Sequence, residues 1–377
     1  MDKIDAMVGG MLGLGLGDAA AWPLAGLPSN NLQAACQQHF EVTKKPSWLH
    51  GALTSWTVMN LDSMLYRPRG RKYIDDLAMR VHLLVAPQNG DALRGNAPAA
   101  KNILRQAWKN LCNGDDPRLA GEKEPRADLL ASGLPWSFAV DNSESQVLEA
   151  VLDSGMLISR HPRTLACIAF YVGTARTILA DPQTPLADLF AAGSHFAELA
   201  LNQLQNDKVG TLSDTIDNAR TILQVEMAIA QNQDWETLLP TGGIDIRLVP
   251  EKALGLALAF SQINPNQVLN GLKTIVENGG ACDVIAPLAM SLFGLRNGKD
   301  HLPFALVKQV RSGVLLERRV RALFGKRPPR AEPWVYLELM LSDWHQKGIA
   351  EEELEITREE NEAVPEQAIS REQLALL

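Results

Sequence analysis

Several things are scarce or missing in this 377-residue chain. Its four cysteines (Cys36, Cys112, Cys167 and Cys282) are far apart and form no C-x-x-C pair. That excludes a disulfide scaffold and points to free thiols in a reducing compartment. There is no basic excess: 36 Lys and Arg face 44 Asp and Glu, for a net charge of −8. A general nucleic-acid binder would need a basic face, so that class is not expected. No uncharged apolar run reaches about 18 residues, so no transmembrane span is expected. The opening Met1-Asp2-Lys3-Ile4-Asp5 lacks the basic start of a signal peptide. A cytoplasmic location is the resulting expectation. The seven histidines show no paired spacing and no H-E-x-x-H. A Walker motif and a G-x-S-x-G elbow are absent too. β-branched alternation, the mark of strands, is nearly missing.

What remains is helical periodicity. Val147, Val151 and Leu152 share a face after Asn142 and Ser143, two plausible caps. The pattern resumes after His161-Pro162 with Leu165, Ile168, Ala169 and Val172, then over 186–205, 215–231, 250–260, 265–277 and 283–296. Asp181-Pro182, Pro240-Thr241-Gly242-Gly243 and Asn264-Pro265 separate these segments. Residues 113–128 read as a polar loop, and Asp75-Asp76 as a solvated face. The fold class is all-α, many helices with short connections.

Gly9, Gly13 and Gly17 recur at i, i+4 and i+8, so on a helix they line one face. That face lets another helix or a ligand approach the backbone closely. The string Gly13-Leu14-Gly15-Leu16-Gly17 is not a dinucleotide fingerprint, because no strand precedes it and the third glycine is misplaced.

With Asp18, Ala19 and Pro23, this opening resembles that of the ADP-ribosylglycohydrolase family. Three further segments follow in the family's order: Gly51 to Met59, Ser159-Arg160-His161-Pro162, and Val249 to Leu254 with Gly279-Gly280-Ala281-Cys282-Asp283-Val284. The resemblance spans roughly residues 4–310. It implies a multi-helix orthogonal bundle with two magnesium ions in a central cleft. In the family those ions are held by a Thr and two Asp in the first motif and by two Asp and a Thr in the last, with a Glu nearby.

This chain departs from that pattern at the ligands. Thr54 matches the first Thr, but Ser55 and Trp56 stand at the two Asp positions. Ala281 and Val284 stand at an Asp and the Thr of the last motif, Asp283 keeps its acid, and the Glu position falls at about Ala25. Magnesium needs octahedral oxygen ligands, with carboxylates supplying charge. Two divalent ions about 4 Å apart repel by roughly 16 kcal/mol at an effective dielectric near 20. One carboxylate and one hydroxyl do not offset that. No cofactor is therefore expected, and the cleft residues Asp18, Thr54, Ser55, Trp56, Thr57, His161, Gly279, Gly280, Ala281 and Asp283 read as vestigial. Each also has a structural reading. Thr54 and Ser55 would cap a helix from Val58, and Asp283 one from Val284. Asp18 and His161 would hold helix ends. Trp56 would fill the core, the alternative being an indole that stacks on a base.

The negative charge sits at the end of the chain. Residues 350–377 hold nine acids and two bases, whereas the first 349 residues are nearly neutral, with 35 acids and 34 bases. Segment 308–330 carries eight bases and one acid, Glu317. The division expected is a family domain over 1–325 and an extension over 326–377, with a short aromatic helix around Trp334–Trp344. Candidate partner-binding residues are Arg318, Arg319, Arg321, Trp334, Trp344, Leu374 and Leu377. The leading reading is a catalytically inactive homologue that binds a protein partner, or senses ADP-ribose or another nucleotide without turnover. The alternatives are an ADP-ribosyl hydrolase with a rebuilt metal site and a structural subunit docked through 308–377.

Overall fold

A computed structural model describes residues 2–27, 29–41, 48–85, 102–128, 130–206, 213–240 and 246–325. The expectations for Trp334, Trp344, Leu374, Leu377, the aromatic helix and the acidic tail lie outside these residues. The described chain is all-α. Its helices are α1 Lys3–Ala21, α2 Ser29–His39, α3 Ala52–Tyr66, α4 Tyr73–Val85, α5 Asn102–Cys112, α6 Leu134–Ser137, α7 Glu144–Ile158 and α8 Pro162–Ala180. They continue with α9 Leu186–Asn206, α10 Ser213–Gln231, α11 Pro250–Phe260, α12 Val268–Glu277, α13 Cys282–Asn297, α14 Phe304–Val307 and α15 Gly313–Ala322. Among the described residues the only β pairings are two isolated bridges, Trp48 with Val310 and Glu122 with Ser159.

The glycine face of α1 packs antiparallel against α13. A Cβ on Gly13 would stand 2.1 Å from the Met290 carbonyl oxygen, and one on Gly17 would stand 2.4 Å from that of Ala286. These are backbone contacts that no side-chain rotation relieves. The two helices form the centre of the core, and α1 is buried from Ala6 to Ala21. By length and composition α1 could cross a membrane, although Lys3, Asp5 and Asp18 interrupt its apolar run. Here it is a core helix enclosed by its own chain.

Local signals place several helix ends. Ser143 and Gln146 form a reciprocal capping box on α7. His161 is the N-cap of α8, its Nδ1 accepting the Arg163 N–H at 3.1 Å. Other expectations change. The 265–277 segment splits into a short 3-10 turn, Pro265–Gln267, and α12. In the basic stretch, Lys308 to Ser312 separate α14 from α15. The 113–128 segment is partly packed: Asp116 caps a 3-10 turn, and Ala120, Ala127 and Asp128 are buried. Asp75 is exposed, but Asp76 is fully buried and pairs with Arg80 at 2.8 Å. A solvated face therefore explains only half of that acid pair.

Candidate functional site at converging helix ends

The C-terminal end of α1 meets the N-terminal ends of α3 and α13. Asp18, in the last turns of α1, joins α1 to α3. Its Oδ2 accepts the backbone N–H of Gly51 and of Thr54, each at 2.9 Å. A helix start leaves such N–H groups without partners, and a carboxylate satisfies them with favourable charge. Thr54 and Ser55 are therefore not the caps. Gly51 is the N-cap and has no capping side chain, so Asp18 does the work from 33 residues away.

The four residues after Leu53 turn into the protein. Ser55 Oγ donates to the Gly51 carbonyl at 3.2 Å and lies 3.1 Å from His50 Nε2. The other ring nitrogen of His50 lies 2.8 Å from Ser312 Oγ. Thr57 donates to the Leu53 carbonyl at 2.8 Å. Thr54 Oγ1 is buried without a hydrogen-bond partner. Trp56 is fully buried and its indole N–H is likewise unpartnered, so it fills the core and offers no face for stacking on a base.

At the start of α13, Gly279 and Gly280 adopt φ of +73° and +58°, which favours glycine. Cys282 donates its S–H to the Ala21 carbonyl at 3.6 Å, joining α13 to the end of α1. Burial, and then Asp283, push its thiol up to about 12, so it is not a nucleophile at neutral pH. Ala281 is the N-cap of α13, without a capping side chain. Asp283 does not cap its helix as expected. Arg247 Nη2 donates to Asp283 Oδ1 at 2.6 Å and to the Gly280 carbonyl at 3.3 Å. The Arg247 carbonyl in turn accepts the Ala127 N–H at 2.7 Å.

A second ion pair joins α8 to α11. Arg163 donates two bonds, at 2.6 and 2.7 Å, to the fully buried Glu251 carboxylate. This hydrogen bonding holds the guanidinium above its usual range. Burial, and then Arg163, push the neighbouring His161 ring below the ordinary histidine value. His161 is thus a neutral cap on α8, as its place before Pro162 suggested.

His50, Ser312, Arg163 and Arg247 were not singled out in the sequence. Their partners lie 5, 262, 88 and 36 residues away, and the long separations leave no local signature. Arg319 leaves the partner-binding set. It is 4% exposed and donates to Asp62 Oδ1 at 2.8 Å, tying α15 to α3. Arg318 and Arg321 are exposed, the latter paired with Glu317.

This donor set does not fit two magnesium ions. Asp283 is held by a guanidinium and Ser55 by a histidine, and the counterparts at Trp56, Ala281 and Val284 carry no ligand oxygen. Among the described residues, no three His, Cys, Asp or Glu side chains come together as a metal cage. A cavity of about 390 Å³ opens between α2 and α12, lined by residues including Cys36, Phe40, Lys273 and Glu277. None of the family's ligand positions lines it.

A sequence profile of ADP-ribosylglycohydrolase matches residues 1–333. The chain belongs to the ADP-ribosylglycohydrolase family. Among curated proteins none matches it in sequence. A solved structure titled "ADP-ribosylglycohydrolase-related protein complex" is similar, with a TM-score of 0.56 and 17% identity over 85% of this chain and 98% of that one. At that identity the likeness is one of fold. It agrees with the all-α architecture expected of the family.

Proposed function

We propose that this ADP-ribosylglycohydrolase family member does not hydrolyse ADP-ribosyl bonds and works by association with a protein partner. The observation that carries the reading is the Arg247–Asp283 ion pair. The one acid left at the family's ligand positions is engaged by a cation of the chain itself. The inward-turned Ser55 and the buried Trp56 support the same reading. Without a metal clamp the cleft has no means of activating water for attack on the ribose. An assay for ADP-ribose release from an ADP-ribosylated arginine peptide, with Mg²⁺ or Mn²⁺, tests this. No release above the buffer rate is expected. Turnover that Asp283→Ala removes would overturn it.

Support for association comes from α14 and α15. Phe304 on α14 and Val314 on α15 are 69% and 58% exposed, and α15 also carries the exposed cations Arg318 and Arg321. In sequence these residues precede the 326–377 extension with its acidic end. Purification of the full chain and of a chain ending at residue 349 from the native cell checks the role of the tail. A partner retained equally by both would remove the tail from the reading. Calorimetry with ADP-ribose separates a partner-binding subunit, which gives no heat, from a nucleotide sensor, which binds without added metal.

A further inference from the structure

We infer that Arg247 is a built-in cation that takes over the charge and the cross-linking of a metal ion at Asp283, making this end of the cleft independent of divalent ions. The inference rests on the non-hydrolysing reading above and specifies how its site is held. Asp283 is 5% exposed on the first turn of α13, where an uncompensated carboxylate is costly. Its counter-charge comes from the 3-10 turn Ile246–Leu248, just before α11. Arg247 makes three connections from there. Its guanidinium donates to the Asp283 carboxylate and to the Gly280 carbonyl, and its own carbonyl accepts from Ala127. It thus joins the start of α13, with the diglycine turn that leads into it, to the 126–128 segment, which is distant in sequence.

A carboxylate oxygen and a carbonyl oxygen converging on one positive centre are also what a bound cation would organise. Here the cation is covalently tethered, so it is present at every metal concentration. A divalent ion approaching Asp283 would have to break a charge-assisted hydrogen bond and then sit beside the displaced guanidinium, whose like charge repels it. The planar guanidinium has separate N–H groups for a carboxylate and a carbonyl, which an ammonium presents less well.

The test uses the full chain with Arg247→Met, Asp283→Asn and the double variant, followed by thermal unfolding in EDTA, Mg²⁺ and Mn²⁺. Each single variant is expected to lower Tm by roughly 2–6 °C. The double variant should fall no further than the worse single, because the two residues act as one unit. Millimolar Mn²⁺ should leave the wild-type Tm unchanged. Additive losses would overturn the inference. So would a Mn²⁺-dependent rise in Tm that Asp283→Asn abolishes. Should the variants not fold, Mn²⁺ titration of the wild-type chain by electron paramagnetic resonance decides alone: bound Mn²⁺ displaced by Mg²⁺ overturns it, and only free Mn²⁺ supports it. ADP-ribose release by a chain whose pair is still coupled would sink the non-hydrolysing reading while leaving the clasp. Additive losses without release would do the reverse.

Discussion

Asp18 of α1 accepts the backbone N–H of Thr54 at 2.9 Å and so caps a helix that begins more than thirty residues later. The same oxygen accepts from Gly51, and a Cβ at Gly51 would crowd the carboxylate at 2.7 Å. Gly51 is small so that Asp18 can reach the helix end. Asp18→Ala leaves two N–H groups unsatisfied in a dry interior, at about 1–3 kcal/mol each. Urea unfolding should show a loss of roughly 2–5 kcal/mol. Asp18→Asn, which keeps an acceptor but not the charge, should lose less. Equal losses would mean that a neutral acceptor recovers nothing and that the stabilisation comes from the carboxylate's charge.

The glycine seam predicts a graded series along α1. At Gly13 an added methyl meets the Met290 backbone at 2.1 Å. At Gly10 it meets the Leu295 side chain, Cδ2 at 2.7 Å and Cγ at 2.8 Å, with the nearest backbone atom at 3.6 Å, so a side chain can yield where at Gly13 a backbone cannot. Gly13→Ala must push α13 off α1 and should cost about 3 kcal/mol or more, or prevent folding. Gly10→Ala should cost about 1 kcal/mol or less, since alanine also restores helix propensity. Thermal unfolding of the two variants checks the order. A reversed order would refute the packing of α1 on α13.

What the sequence disclosed follows the range of each interaction. The seam was legible because glycines at i, i+4 and i+8 must share a helix face, and Ser143 and His161 because caps act within three residues. Asp18 could be recognised as a structural residue, but its partners could not, since the backbone of residues 51 and 54 has no side-chain signature. Asp283 was read as a cap because carboxylates favour helix starts. Its cation stands 36 residues back in a 3-10 turn without periodicity. Arg319 looked like part of an exposed basic run, because charge counting ignores which face of α15 each arginine occupies.

Arg319 and Asp62 supply a third prediction. The pair is buried on both sides, with side chains 5% and 3% exposed. Removing one partner strands a charge in the core. Arg319→Met should therefore destabilise by about 3–5 kcal/mol. Replacing both, as Arg319→Met with Asp62→Leu, removes the stranded charge and should recover much of that loss. Chemical denaturation of the three variants checks this. A surface-type pair would lose no more than about 1 kcal/mol and would weaken in salt. A loss that small would place Arg319 back among the surface residues.

Acid sensitivity should come in part from His161. Burial, and then Arg163, lower its pKa from the usual 6.5. As pH falls, the unfolded chain therefore takes up the proton first. The stability contributed by the neutral ring is complete above about 6.5 and is lost as pH falls through the lower folded value. The geometry adds a reason: Nδ1 accepts the Arg163 N–H, and a protonated ring has no lone pair there. His39 adds to the same slope, because burial lowers its pKa while its hydrogen bond to the Ala19 carbonyl opposes the shift. His161→Asn keeps a side-chain oxygen for the cap and does not titrate. The wild type should lose stability between about pH 7 and pH 5, and His161→Asn should lose less over that window while matching the wild type near pH 7. His39 leaves a residual slope, which adding His39→Gln should reduce further. Urea unfolding across the window measures both slopes. An unchanged slope in His161→Asn would show that the cap keeps its proton balance on folding.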